Sequence, residues 1–148
     1  MAFDQGLSHR FEIKGGDFAK AGRVSLEVKE ILHDLGIDPV IARRVAIVSY
    51  EAEMNVVMYA TRGEMVLQLD PEAIRIVLED EGPGIRDTEM AMREGYSTAT
   101  EQMREMGFGA GMGLPNIKKN ADRFELTSEV GKGTCCRIVI HLSPGGRA

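Results

Sequence analysis

Cysteine is scarce in this chain: there are two, Cys135 and Cys136, and they are neighbours. Successive side chains on a strand point to opposite faces, which disfavours a bridge between them. No second pair exists, and metal-ligand spacing is absent. Such usage fits a reducing compartment. Basic clusters are missing as well. The net charge is −5 and no Lys/Arg run interrupts it, which argues against nucleic acid as a main partner, because phosphate neutralisation needs a basic face. The acidity reads as solubility. A charged-then-apolar leader is absent, as is any apolar run of membrane-spanning length. The expectation is a cytoplasmic protein with no membrane partner. Repeats and low-complexity tracts are also lacking.

What is present is ordinary globular composition, 43% apolar and 28% charged in 148 residues. A chain of this size is one domain and buries roughly 70% of its unfolded surface, so it needs no covalent staples. The domain is expected over 1–142, with 143–148 as a frayed tail rich in glycine.

A short first strand is expected over Phe11–Lys14, closed by Gly15-Gly16, and a helix from Asp17. Val24, Val28, Ile31 and Leu35 recur at helical spacing, and Gly36 ends the run. Asp38 as cap and Pro39 in the first turn open a second helix reaching about Tyr59. Its stripe Ile41, Val45, Val48, Ala52, Asn55, Tyr59 is apolar until Asn55. Two alternating strands follow, Glu64–Leu69 and Ala73–Asp80, joined by a turn at Asp70-Pro71-Glu72. Gly82–Gly113 is long, glycine-rich and polar, with a short helix near Asp87–Arg93, and a connection of this length is more often a functional lid than filler. A helix starts near Leu114-Pro115, and strands near Arg123–Glu129 and Thr134–Leu142 close the chain. Tight turns make neighbouring strands antiparallel. The reading is an α/β two-layer sandwich: a mixed, mainly antiparallel sheet with helices on one face.

Four constellations carry possible chemistry. Glu51 and Asn55 stand four apart on one helix face. A carboxylate there can accept a proton, and an amide oxygen suits Mg²⁺; the plain alternative is a solvated helix face. Asp80-Glu81-Gly82-Pro83-Gly84-Ile85 ends a strand in a carboxylate able to accept from an exocyclic amine, and its glycines let backbone approach a flat ring; the alternative is a turn. Gly107-Phe108-Gly109-Ala110-Gly111-Met112-Gly113-Leu114 runs into a helix, leaving N–H groups and a positive dipole end for phosphate; the alternative is a flexible loop. It is neither a dinucleotide fingerprint nor a Walker loop, since both spacings fail. Finally, Gly131-Lys132-Gly133-Thr134 starts the last strand, either as a hairpin turn or as a hydroxyl near phosphate or a bridging water.

In this order and approximate spacing, over about Ala42–Leu142, the four resemble the motifs of the GHKL ATPases, which include gyrase and histidine kinases. The resemblance implies the Bergerat ATP-binding fold, with ATP and Mg²⁺ as cofactors. By it Glu51 looks like the catalytic base of the N-box and Asn55 like its metal ligand. Asp80, Gly82 and Gly84, with the adjoining Ile85, look like the adenine box. Gly109, Gly111 and Gly113, with Leu114, look like the phosphate-cradling box. Thr134 matches the threonine after the last turn.

The length leaves no room for gyrase-type coupling domains, and neither His9, His33 nor His141 lies in a phospho-accepting helical hairpin. What remains resembles the stand-alone bacterial serine/threonine kinases of the anti-sigma type. Glu94-Gly95-Tyr96-Ser97-Thr98 and Leu114-Pro115 resemble the switch-kinase subset. That implies an anti-sigma-factor antagonist as protein substrate, a sigma factor as a second partner, and a homodimer as one open oligomeric state. Two alternatives stand beside the kinase: an ATP-binding module that sequesters a sigma factor or regulator without turnover, and a histidine-kinase-like domain acting in trans. Tyr50 before Glu51 and the Met-rich stretch Met103-Arg104-Glu105-Met106 depart from the pattern. Glu53 is a rival base by type but falls on another helix face.

Overall fold

The computed structural model describes residues 6–93 and 113–142. Five strands form one sheet: β1 (Leu7–Lys14), β2 (Arg62–Leu69), β3 (Ala73–Glu81), β4 (Arg123–Glu129) and β5 (Gly133–His141). Their order is β1-β2-β3-β5-β4. Among the described residues the α-helices are α1 (Arg23–Asp34), α2 (Pro39–Tyr59), the single-turn α3 (Thr88–Ala91) and α4 (Gly113–Asn120). All four strand pairs are antiparallel. The mixed, mainly antiparallel sheet expected therefore has no parallel pair among the described residues. Hairpins join β2 to β3 and β4 to β5, α1 and α2 lie between β1 and β2, and the long return through α3 and α4 brings β4 in at the edge.

Alternation along the strands assigns the two faces. Ile74, Ile76 and Leu78 of β3 and Cys136, Ile138 and Ile140 of β5 are buried under the helices, with Met65, Leu67 and Leu69 of β2. Each full burial of such an aliphatic side chain contributes about 2 kcal/mol. The opposite face is charged. Arg62 bridges Glu12 and Glu81, each at 2.7 Å, and Arg10 meets Glu64 at 2.6 Å.

Helix α2 is the central element. Asp38 accepts the Val40 N–H at 2.8 Å as its cap, with Pro39 in the first turn. Its second half is enclosed on several sides, with Ala52, Glu53, Met54, Val56, Val57 and Met58 all buried. The expected stripe is thus the sheet-facing part of a wider buried surface.

Two boundaries differ most from expectation. Strand β1 begins at Leu7 rather than Phe11, because Leu7 and His9 continue the inward row opposite Leu69 and Leu67. The helix expected from Asp17 is a 3-10 turn, Phe18–Lys20, and α1 starts only at Arg23. Gly22, at φ 94°, reverses the chain between them.

Candidate functional site

Two clusters of side chains meet the second half of α2. The first is made by helices. One turn separates Glu51 from Asn55, so they stack on one face, and that face meets the start of α4. A Cβ placed on Gly113 would lie 3.4 Å from Asn55 Oδ1 and 3.5 Å from Glu51 Oε1. Glycine leaves this corner to the carboxylate and the amide. One turn along α4, Asn116 Nδ2 donates to Glu51 Oε2 at 3.0 Å. The two carboxylate oxygens are thereby divided: one is engaged by an amide, the other faces Gly113. The positive dipole end of α4 lies at the same corner.

The second cluster is made by strand ends and turns. Asp80 continues the inward row of β3, and its Oδ1 accepts the Thr134 N–H at 3.1 Å. Thr134 faces Ser128 across the β4–β5 pair, their hydroxyls 2.9 Å apart. Ser128 Oγ donates to the Gly133 carbonyl at 3.1 Å and accepts the Ile85 N–H at 2.7 Å. With its one proton so used, Ser128 leaves Thr134 as the donor between the hydroxyls. Backbone bonds stitch the same loop to the same hairpin, Gly82 N–H to the Lys132 carbonyl at 3.1 Å and Gly131 N–H to the Pro83 carbonyl at 2.8 Å.

Sterics enforce this construction. Gly84 has φ 75°, and a Cβ there would sit 2.4 Å from the Glu129 carbonyl oxygen. At Gly133 a Cβ would fall 1.9 Å from the Asp80 carbonyl oxygen. Gly82 presses on the end of α2, with a Cβ position 3.0 Å from Ala60 Cα. That contact relates the clusters: Asn55 and Tyr59 are one helical turn apart, a rise of about 6 Å. The two clusters are successive stations along α2.

Burial pushes the Asp80 carboxyl above its ordinary range, and the Thr134 N–H only partly offsets it. Cys136 lies next along the same face of β5. Burial, with the Asp80 charge adding to it, pushes its thiol up to about 12.

The structure brings Glu51, Asn55 and Gly113 together, and separately Asp80, Gly82, Gly84, Ile85 and Thr134. Leu114 packs into the core at 8% exposure, so its side chain anchors α4. Gly109 and Gly111 lie outside the described residues, as do Met103, Met106 and the 94–98 stretch. Asn116 and Ser128 join the clusters without having been marked by the sequence. Asn116 could have been suspected from its place one turn past the glycine run; Ser128 becomes visible only once β4 and β5 are paired.

Glu53 is not a second base. It is 2% exposed, and its carboxylate accepts the N–H groups of Gly22 at 3.0 Å, Val24 at 3.2 Å and Ser25 at 2.9 Å. It caps α1 from α2, satisfying donors that a helix start leaves orphaned.

Among the described residues no three His, Cys, Asp or Glu side chains gather as a cation cage. A divalent ion beside Asn55 would therefore complete its shell with phosphate oxygens and water, as Mg²⁺ commonly does. No described helix is long and apolar enough to cross a membrane. A separate cleft of about 420 Å³, lined by Met92, Lys118, Phe124 and Leu126 among others, includes none of the clustered residues.

Comparison with known proteins adds four findings. The family model described as histidine kinase-, DNA gyrase B- and HSP90-like ATPase matches residues 41–144. The chain is 33% identical over 110 residues to the serine/threonine-protein kinase RsbT of Bacillus subtilis (strain 168), across 72% of this chain and 77% of that protein. It is 38% identical over 69 residues to an anti-sigma F factor of Caldanaerobacter subterraneus subsp. tengcongensis, 47% of this chain and 45% of that protein. Among solved structures, the nucleotide-free catalytic domain of the histidine kinase ThkA has a TM-score of 0.54 over 94% of this chain and 99% of that one, at 15% identity, a likeness of fold.

Proposed function

This chain belongs to the histidine kinase-, DNA gyrase B- and HSP90-like ATPase family, and from that premise we propose that it is an ATP-dependent serine/threonine protein kinase of the anti-sigma regulatory type. The observation that carries the reading is the corner where Glu51 Oε1 and Asn55 Oδ1 converge on Gly113. A base and a hard oxygen donor stand there side by side at a helix start, as phosphoryl transfer to a hydroxyl requires.

Asp80 holds the adenine. Its Oδ1 is engaged by Thr134, which turns Oδ2 toward the exocyclic amine. The Ser128–Thr134 hydroxyl pair would border the ring, and Gly82 and Gly84 would keep side chains away from its plane. The phosphates would extend along α2 toward Asn55, whose Oδ1 would hold Mg²⁺. When bound, the ion neutralises phosphate charge. Glu51 Oε1 takes the proton from the incoming Ser or Thr hydroxyl. The rest of the acceleration is alignment and charge stabilisation. The domain is assigned to 1–142.

The protein substrate in this reading is a small antagonist-type regulator, as the resemblance to the anti-sigma kinases implies, and the likeness to a serine/threonine kinase supports a protein hydroxyl as acceptor. The shorter likeness to anti-sigma F factors supports a sigma factor as a second partner. Incubation with radiolabelled Mg-ATP and purified antagonist-domain proteins tests the reading. The expected product is acid-stable, alkali-labile phosphoserine or phosphothreonine. An acid-labile product points to histidine transfer, and absence of transfer together with ATP binding leaves a non-catalytic module; either result overturns the kinase assignment.

A further inference from the structure

Asn116 reaches the carboxylate on which the proposed chemistry depends. It stands on α4 between the buried Pro115 and Ile117, and its carbonyl accepts Asn120 Nδ2 at 2.9 Å. Its backbone is therefore fixed. Its Nδ2 lies 3.0 Å from Glu51 Oε2, and only the amide nitrogen can face a carboxylate oxygen, so the chemistry sets the orientation of the amide.

The terminal torsion of a glutamate is broad and roughly two-fold. Left alone, Glu51 would present either oxygen over a range of angles. One amide donor on Oε2 removes that freedom, leaving Oε1 toward Gly113 and Asn55 Oδ1. An amide suits the task because it donates without charge. A lysine would tie the base into an ion pair, and an aspartate would repel it.

We propose that Asn116 is a positioning residue for phosphoryl transfer, holding Glu51 so that Oε1 faces the incoming hydroxyl. The proposal rests on the kinase reading above. Because Asn116 sits on the helix that begins at Gly113, it also ties the base to the element that follows the glycine-rich segment.

The experiment uses the full chain with Mg-ATP, water serving as acceptor, and measures phosphate release alongside ATP binding by calorimetry and thermal unfolding. Asn116→Leu removes the donor at similar volume. The expected result is a kcat lower by about 10- to 100-fold, the scale of a misplaced catalytic group, with the ATP dissociation constant unchanged. Asn116→Gln, which keeps an amide donor, should recover part of the loss, and it remains readable if the leucine variant unfolds. In a Glu51→Gln background, Asn116→Leu should cost nothing more. Wild-type turnover in Asn116→Leu overturns the proposal alone, as does an equal further loss in the Glu51→Gln background. A wild-type chain that binds Mg-ATP but releases no phosphate and labels no protein overturns the kinase reading, and this proposal with it.

Discussion

The helical cluster and the hairpin cluster hold their polar groups by different means. Around Asp80 the bonds are mostly to backbone: N–H groups of Thr134 and Ile85, the carbonyl of Gly133, and two loop-to-turn bonds. The turn that makes them admits only glycine at Gly84 and Gly133. Around Glu51 the polar groups are side chains of two helices, joined by the Asn116 contact. In the proposed kinase a purine, the same in each nucleotide, would suit a surface fixed by the chain itself, and a hydroxyl from a second protein and a phosphate in transit would suit side chains whose aim is set one bond at a time. Substitutions should therefore act on binding and fold at one end, and on rate at the other.

The largest effect expected is at Glu51. Glu51→Ala should lower phosphotransfer by about 10²–10⁴-fold and leave ATP binding and the melting temperature intact; unchanged transfer in a radiolabel assay would remove Glu51 from its role. Two residues along the same helix, Glu53→Ala should do the reverse. It strands three N–H donors at the start of α1, at a cost of about 3 kcal/mol or more, read by urea unfolding. A folded but inactive Glu53→Ala would blur the division between the two glutamates.

At the hairpin end, Asp80→Asn should weaken ATP by about 10- to 100-fold, the range of a hydrogen bond to a charged group. Stability should move the other way. The folded Asp80 carboxyl titrates above its unfolded value because of burial, so the folded state holds that proton more tightly. Its contribution to stability is present at low pH and falls as pH rises through the window above the unfolded value. The amide carries no such penalty, so the variant should melt no lower than wild type at pH 7, and the gap should narrow on acidification. A variant that melts lower at neutral pH would mean that the Asp80–Thr134 bond outweighs burial. Ser128→Ala is the smallest change, about 1 kcal/mol, read as a several-fold weaker ATP affinity with unchanged kcat. A fall in kcat there would couple the two ends.

Much of this arrangement could be read from local pattern. Asp38 and Pro39 mark the start of α2, and the alternation ending in Asp80 places that carboxylate on the inward face. Glycines at 82, 84 and 113 announce close approach before any contact is known. What escaped the sequence is what depends on distant partners. The start of α1 is set by a glutamate 28 to 31 residues away, so the helix expected from Asp17 begins instead at Arg23, where Glu53 caps it. That glutamate looked like a spare base because helical spacing places a residue on a face without saying what covers it. Ser128 and Asn116 are unremarkable in sequence until a strand register and a helix crossing bring them to Thr134 and Glu51.

Calorimetric titration of the chain with ATP and with GTP, each with and without Mg²⁺, tests the central claim most directly. ATP should bind, more tightly with Mg²⁺, and GTP far more weakly, since its ring carries a carbonyl where Asp80 would meet an amine. Equal affinity for the two nucleotides, or none for either, would contradict that claim.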